Sequence, residues 1–501
     1  MNYILTIDQG TTGTRAALVS KECEFLFSSY LEHVQIYPKP SWVEHDPIEI
    51  WNNTKKVVSD VLHEATTEGI DLHNIKGIGI ANQGETVMLW DKNTGKPLYN
   101  AIVWQCRRTS DYVEELKHLP GIEEKIKQKT GLVLDAYFSA TKIKWIVDNV
   151  EGVKEKIKKN EVLAGTLDTW LIWKLTGGKS FVTDVSTAAR TMLYNIRDLK
   201  WDDEILEILD LPKSILAEVK NTSDFFGLTD KDNFFGLEIP ITGSVVDQPG
   251  AMFGQACFDK GMVKNTYGTG CFLYMNIGDQ PIESNNGLLT TIAWKIGDDV
   301  KYAFDGGVYI AGAAIQWLRN GVGFIDDYAM TETMARSIED TGGVYFVPAF
   351  TGLAAPYWDQ YARGLIIGLT GSTRREHIVR ATLESVAFQV KNVVDSMNID
   401  AGTDIKVLRV DGGITKNDFV MQFQSDLLGI PVEVAEVAET TALGAAYFAG
   451  LYTGVWENLD DIKKQWRSRK RFEPTIDSAQ REKLMKDWNE AVKRSMGWAN
   501  R

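Results

Sequence analysis

One short pattern occurs twice in this chain and constrains its fold more than any other feature: an apolar strand, a turn of small residues and a second apolar strand. The first copy covers 2–19, where the turn DQGTTGT separates NYILTI from AALV. The second covers 262–277, where YGTG separates MVKNT from CFLYMNI. Small-residue turns between apolar segments are typical of β-hairpins. Both copies therefore predict hairpins, and the chain is predicted to be internally duplicated.

Alternating strand and helix patterns fill the rest of the chain. Apolar runs such as KGIGIA (76–81) and VLRVD (407–411) predict strands, and the amphipathic periodicity of Trp51–Ala65 and Asn417–Leu428 predicts helices. The alternation indicates an α/β fold with a mixed sheet and helices on its faces.

The length of the chain predicts two domains. At 501 residues, it is well beyond the ~250–300 residues at which a single hydrophobic core stops growing. Because the second hairpin opens the second copy of the pattern, we place the domains at residues 1–253 and 254–501. We expect a cleft between them.

Charge and cysteine content argue against several classes of protein. A net charge of −14 disfavours binding to nucleic acid or anionic membrane, and the basic run at 463–471 is interpreted as a solvated helix face. The four cysteines include no CxxC pair, which favours a reducing compartment. Because the chain has neither a long apolar run nor a signal-like start, we predict a cytoplasmic protein without a membrane span.

The two small-residue turns are candidate phosphate sites. Gly and Thr side chains leave backbone N–H groups accessible in a concave turn, and threonine hydroxyls add further donors. Each turn alone is also compatible with an ordinary strand connection. The common nucleotide loops are missing, since Gly178–Ser180 ends like a P-loop but Trp173 stands where that motif needs glycine.

Two aspartates follow predicted strands and are candidates for chemistry. Asp8 and Asp247 lie where a sheet edge opens into a crevice, so either carboxylate could hold Mg²⁺ or accept a proton from a hydroxyl. Either could instead cap the next turn or helix. Arg15 could neutralise a transferred phosphate or pair with a surface acid.

A third candidate segment is VLRVDGGITKND (407–418). The exposed backbone of Gly412 and Gly413 could contact a flat ring. The alternative is an ordinary turn into a helix with Asn417 as its cap. The following segment ETTALGAAYFAG (439–450) predicts a helix of small residues suited to close packing.

As a set, these and other segments closely resemble the glycerol kinases of the FGGY carbohydrate kinase family, nearly from end to end. The resemblance is carried by DQGTTGTRA (8–16), SWVEHDPIEIW (41–51), WQCRRT (104–109), DAYFSATK (135–142), GTLDTWLIWKLT (165–176), VDQ (246–248), KNTYGTG (264–270), AGAAIQWLR (311–319), FTGLAAPYW (350–358) and VDGG (410–413). It implies two ribonuclease H-like domains of the actin and hexokinase ATPase type flanking a cleft. It also implies ATP and Mg²⁺ as cofactors and a homo-oligomer, dimer or tetramer.

The resemblance further implies a role for each matching residue. Asp247 is the expected general base and Asp8, with Asp247, the expected metal site. The residues expected to bind ATP are Thr11, Thr12, Gly13, Arg15, Gly268, Thr269, Gly270, Gly312, Gln316, Gly413 and Asn417. Those expected at the polyol are Gly84, Glu85, Trp104, Tyr137, Asp247, Gln248 and Phe272. The implied reaction is ATP-dependent phosphorylation of a terminal hydroxyl of glycerol to give glycerol 3-phosphate.

Two departures from the family pattern leave the acceptor open. Gly84 stands where glycerol kinases carry a substrate-binding arginine, and Gln248–Gly250 reads Gln-Pro-Gly where they carry Gln-Gln-Ala. The Gly84 site is expected to leave empty volume, so a tetritol, pentitol or xylulose-like ketose is the alternative acceptor. A Lys or Arg from elsewhere, or water, could instead preserve glycerol binding. A non-catalytic, actin-like nucleotide-binding protein is the third hypothesis.

Overall fold

The structure is a computed structural model that describes residues 1–499. The strands of the first half are β1 (Tyr3–Gln9), β2 (Gly13–Ser20), β3 (Phe25–Glu32), β4 (Glu44–His45), β5 (Ile75–Asn82), β6 (Val87–Asp91), β7 (Ala101–Ile102), β8 (Val162–Thr166), β9 (Val182–Asp184), β10 (Tyr194–Asn195), β11 (Lys200–Trp201), β12 (Glu218–Lys220), β13 (Ser223–Leu228) and β14 (Pro240–Val246). Those of the second half are β15 (Val263–Tyr267), β16 (Cys271–Gly278), β17 (Leu289–Ile296), β18 (Asp299–Val308), β19 (Tyr345–Val347), β20 (Leu365–Ile367), β21 (Leu408–Gly412), β22 (Val432–Ala435) and β23 (Ser468–Phe472).

Helices are distributed through both halves. The α-helices are α1 (Pro47–Thr67), α2 (Ser110–Lys117), α3 (Ile122–Thr130), α4 (Ser139–Asn149), α5 (Val153–Lys158), α6 (Leu167–Leu175), α7 (Val185–Ala188), α8 (Asp203–Ile208), α9 (Asp247–Gly254), α10 (Gly312–Asn320), α11 (Met330–Arg336), α12 (Arg375–Ala401), α13 (Asp418–Leu428), α14 (Thr440–Thr453), α15 (Leu459–Gln465) and α16 (Ser478–Ser495). No helix within residues 1–499 is long and apolar enough to cross a bilayer.

The predicted hairpins and the predicted duplication are both confirmed. β1 pairs with β2 antiparallel, and β15 pairs with β16 in the same way. The strand order β3-β2-β1-β5-β14 in the first half matches β18-β16-β15-β21-β22 in the second, with antiparallel hairpins followed by parallel strands in each. The two halves thus repeat one topology.

These ten strands, together with β13, β17 and β23, form one 13-stranded mixed sheet. Its two halves meet where β13 pairs with β17, through the single register pair Ser223 and Ile296. The sheet is mixed and carries helices on its faces, as the alternating pattern predicted.

Two helices near the sheet junction each pack against the other half. α14, from the second half, packs on β5 and β14 of the first half, and α9 packs beside β15 and β16 of the second. Glycines permit the approach, because a Cβ on Gly444 would stand 1.9 Å from the Gly250 carbonyl oxygen. The predicted small-residue helix is confirmed, and its role is to cross between the halves.

The interpretation of residues 463–471 as a helix face is wrong for most of the run. Residues 468–472 form β23, which lies at the edge of the sheet, outside β22. Its charged side chains are exposed and Lys470 and Arg471 pair with acids. Charged side chains on an edge strand discourage pairing with another chain, which explains a basic strand here.

Candidate active site

The two small-residue turns have the same internal geometry. The Gly10 N–H donates to the Gly13 carbonyl at 2.9 Å, and the Gly268 N–H donates to the Gly270 carbonyl at 2.8 Å. The next strand passes close behind each turn, since a Cβ on Gly13 would stand 2.4 Å from the Leu31 oxygen and one on Gly270 2.3 Å from the Val308 oxygen. Glycine is therefore required at the same place in both copies.

The second turn opens onto a cavity of about 570 Å³. Six of the predicted nucleotide residues line it: Gly268, Thr269, Gly312, Gln316, Gly413 and Asn417. α10 begins against the turn, where the Gly312 N–H donates to the Gly268 carbonyl at 3.1 Å. The structure brings together residues that are 149 positions apart in the chain, from Gly268 to Asn417.

Asn417 combines both roles that the sequence left open. Its side chain accepts a hydrogen bond from the Val420 N–H at 3.2 Å and so caps α13. It also lies on the cavity wall. Asn417 therefore both caps α13 and forms part of the cavity wall.

The first turn does not line this cavity, and it contacts two other regions. Thr11 accepts a hydrogen bond from the Trp104 indole N–H at 2.9 Å. Arg15 forms an ion pair with Glu439 of the second half at 3.3 Å. Arg15 thus pairs with an acid, as one of its two interpretations held, and this acid lies at the start of α14.

Four charged groups from β1, β2, α9 and the start of α14 lie close to one another. Burial, followed by the neighbouring charges of Asp247 and Glu439, raises the pKa of Asp8 to about 7, although Arg15 opposes the shift. Asp8 therefore holds its proton far more tightly than an ordinary aspartate. A cation at this position would relieve the repulsion among the three acids.

Asp247 begins α9, and Lys264 lies beside it. Burial raises the pKa of Asp247, against the lowering effects of Lys264 and of the Gln248 N–H, which donates to Oδ1 at 2.8 Å. Lys264 is fully buried and donates to the Gln248 side-chain oxygen and to Thr266 Oγ1. A carboxylate held in this way is suited to accept a proton.

Aromatic and acidic side chains surround the predicted acceptor position. The rings of Trp104 and Tyr137 meet edge to face at 5.5 Å between centroids. Phe272 lies on β16 opposite Gly307, and a Cβ there would stand 4.0 Å from its ring. Glu85 is 4% exposed and accepts a hydrogen bond from Arg190 Nε at 2.7 Å.

The expected empty volume at Gly84 is not found next to its backbone. A Cβ on Gly84 would stand 2.8 Å from Val246 Cγ2 and 3.4 Å from Arg190 Cγ. Val246 and the stem of Arg190 therefore fill the space where an arginine side chain would begin. A guanidinium is nonetheless present beside Glu85, since Arg190 forms an ion pair with that carboxylate.

Sequence reasoning missed four charged residues of this region: Lys264, Arg190, Asp305 and Glu439. Lys264 lies within KNTYGTG and Glu439 begins the small-residue helix segment, but neither motif predicted a role for these residues. Arg190 and Asp305 lie outside any recognised turn. Lys264 is the one charged residue of the second hairpin pattern (262–277), and this was the available signal.

Comparison with known proteins adds independent evidence. The sequence pattern of the FGGY family of carbohydrate kinases matches residues 3–254 for its N-terminal domain and residues 263–452 for its C-terminal domain. The chain belongs to the FGGY family of carbohydrate kinases. The resemblance drawn from its motifs is confirmed.

Individual relatives of this FGGY kinase cover its full length. It is 56% identical over 501 residues to glycerol kinase 2 of Thermotoga maritima, covering 100% of both chains. A crystal structure of Plasmodium falciparum glycerol kinase with ADP matches with a TM-score of 0.94 at 42% identity, covering 99% of this chain and 98% of that one. A xylulose kinase structure from Lactobacillus acidophilus matches with a TM-score of 0.88, covering 99% of this chain and 98% of that one, but at 22% identity, which shows the fold alone.

These matches confirm the predicted fold class for this FGGY kinase. It is an α/β protein with two domains of the actin and hexokinase ATPase type. The duplicated strand order described above is the physical basis of that architecture.

Proposed function

We propose that this kinase uses ATP to phosphorylate a terminal hydroxyl of glycerol, giving glycerol 3-phosphate. The observation that carries the proposal is 56% identity to a protein named glycerol kinase over the whole of both chains. The site supports it, since a carboxylate, an arginine and two turns rich in N–H groups are the groups that phosphoryl transfer needs.

The proposed roles follow the geometry of the site. Asp247 accepts the proton of the attacking hydroxyl, and its raised pKa keeps it a better proton acceptor than an ordinary aspartate. Thr11, Thr12, Gly13 and Arg15 contact the phosphates from one domain. The remaining nucleotide contacts come from Gly268, Thr269, Gly270, Gly312, Gln316, Gly413 and Asn417.

The acceptor contacts are proposed from the polyol-side residues. Trp104, Tyr137 and Phe272 supply apolar contact with the carbon chain, and Glu85 and Gln248 supply hydrogen bonds to hydroxyls. Because Trp104 also donates to Thr11, the acceptor pocket and the first phosphate turn are held in fixed relation.

Mg²⁺ fits the donor set at Asp8 and Asp247. Mg²⁺ is usually held by one or two carboxylates together with phosphate oxygens and water, so it needs no larger cluster of protein ligands. When bound, it neutralises charge on the phosphates. Burial, followed by the charges of Asp247 and Glu439, raises the pKa of Asp8, and a cation there would relieve the repulsion among these acids.

We further propose that the domains divide at residues 253 and 254, that the protein acts in the cytoplasm, and that it assembles as a dimer or tetramer. The division falls in the last turn of α9, one residue before the end of the N-terminal family match at residue 254. Sedimentation at several concentrations tests the assembly.

A longer polyol or ketose is the second candidate acceptor. Gly84 favours it, because the arginine that glycerol kinases use is absent. Val246 and Arg190 beside Gly84 weigh against it, since they occupy the adjacent space. Comparing kcat/KM for glycerol, erythritol, threitol, xylitol, dihydroxyacetone and xylulose separates the candidates. A value for another acceptor far above that for glycerol overturns the glycerol assignment.

The decisive variant for the chemistry is Asp247→Asn. It removes the proton acceptor with little change in shape, so we expect kcat to fall by roughly 10²–10⁴-fold while ATP affinity stays near that of the wild type. Asp279→Asn, in an exposed turn, is the matched control and keeps full turnover. Unchanged turnover in Asp247→Asn contradicts the assignment of the base. Nucleotide binding by the wild type without turnover of any acceptor supports the non-catalytic alternative.

A further inference from the structure

Arg190 joins the candidate acceptor pocket to the second half of the molecule. Its Nε donates to Glu85 at 2.7 Å, and its Nη2 lies 3.0 Å from the Asp305 carboxylate on β18. All three side chains are at most 8% exposed. The result is a buried acid–arginine–acid triad that links both domains.

The triad is costly to bury. Each buried ion loses the water that would solvate it, and Nη1 of Arg190 is in addition buried without a hydrogen-bond partner among residues 1–499. A hydrophobic residue of similar volume would often be at least as stable in such a place. Stability therefore does not account for an arginine here.

The position of Arg190 suggests why an arginine is present. Its Cγ lies 3.4 Å from the point where a side chain on Gly84 would begin, and its guanidinium holds the neighbouring Glu85. We propose that Arg190 is the positioning residue for the acceptor: it orients the Glu85 carboxylate for the substrate hydroxyls and replaces the guanidinium missing at residue 84. This inference rests on the proposed function.

A positioning role and a purely structural role predict different kinetic results. A loosened fold would change the KM values for acceptor and ATP together, because both sites depend on it. A positioning role should change mainly the acceptor KM, since Arg190 holds Glu85 of the candidate acceptor pocket.

The test compares Arg190→Gln and Arg190→Lys with the wild type. For Arg190→Gln we expect KM for the acceptor to rise at least roughly tenfold while KM for ATP changes less than about threefold. Arg190→Lys keeps the charge without the two-sided geometry, so it should leave the acceptor KM raised.

Arg108→Gln is the matched control. Arg108 is also buried in an ion pair, with Glu44 at 2.5 Å, and stacks on Trp42 with 3.9 Å to its ring centroid. We expect it to lower the melting temperature without changing the ratio of the two KM values. An Arg190→Gln variant that behaves like Arg108→Gln overturns the proposal.

A variant that fails to fold does not leave the question open. If Arg190→Gln is insoluble, Arg190→Lys and Asp305→Asn decide. Asp305→Asn keeps the pair with Glu85 but weakens its anchor, so it should raise the acceptor KM less than Arg190→Lys does. Wild-type acceptor KM in both variants overturns the inference. A wild-type protein that phosphorylates no polyol or ketose overturns the proposed function instead.

Discussion

At the scale of single residues, the site depends on acids kept close together without a full set of partners. Asp8, Asp247 and Glu439 face one another with Arg15 as the cation paired to Glu439. The rest of the fold must hold these acids in place against their mutual repulsion. This arrangement prepares the site for a cation and phosphates.

Asp8 allows the combined effect of burial and this repulsion to be measured. Its pKa is about 7 in the folded protein against an ordinary 3.8, so the folded state keeps a proton that the unfolded state has already lost. Stability is therefore lost progressively as pH rises from the ordinary pKa to the raised one, and the loss is complete above it. Asp8→Asn abolishes this loss.

The expected result is that the stability of Asp8→Asn relative to the wild type grows from about pH 4 to about pH 7 and stays constant above that. Urea unfolding without nucleotide or divalent cation measures it, and Asp279→Asn should show no such trend. A difference that does not vary with pH would mean that Asp8 is ionised in the folded protein throughout this range.

At the scale of elements, the contact of α9 with α14 positions two charged residues of the site relative to each other. Each helix begins with, or just after, a charged residue of the site: Asp247 is the first residue of α9, and Glu439 precedes α14. Because the helices touch through Gly250 and Gly444, their separation sets the distance between these two acids.

Gly444→Ala tests this contact. The added methyl would stand 1.9 Å from the Gly250 oxygen, and backbone cannot rotate away as a side chain can. We expect a loss of about 3 kcal/mol or more in the free energy of unfolding. We also expect lower kcat, since the start of α9 must move.

Gly371→Ala is the control for this substitution. No atom lies within 4 Å of a Cβ there, and its φ is not positive. Its effect should stay within about 0.5 kcal/mol. If Gly444→Ala proves equally mild, the two helices are not in the close contact described.

At the scale of the whole molecule, we expect the two halves to move relative to each other when substrates bind. The sheet continues between them through a single β13–β17 register pair, and two short helices cross the junction. A kinase gains from closing on its substrates, because closure excludes the water that would otherwise accept the phosphoryl group.

We therefore expect glycerol together with a non-hydrolysable ATP analogue to reduce the radius of gyration measured by small-angle X-ray scattering. Either ligand alone should give a smaller change, since each contacts mainly one half. Asp247→Asn with ATP, Mg²⁺ and glycerol should give the same compact form, because it binds without rapid turnover. Identical scattering curves with and without both ligands would contradict closure.

Much of this protein could be read from local patterns. The two hairpins, the α/β class and the duplication follow from apolar runs and small-residue turns, because strand alternation and turn chemistry act over a few residues. The site residues within motifs were found for the same reason. In contrast, the helix interpretation of 468–471 failed, since a short charged run has no periodicity to separate a helix from an edge strand.

The sequence by itself determined the family, the repeated topology and the residues of both turns, because these depend on short-range geometry and on motifs that are contiguous in the chain. Only the tertiary structure decided how Gly84 is compensated. Val246 and Arg190 lie more than 100 positions away from it, and Asp305 more than 200. The tertiary structure also decided the charge of Asp8, since its pKa depends first on its burial and then on the acids that the fold places beside it.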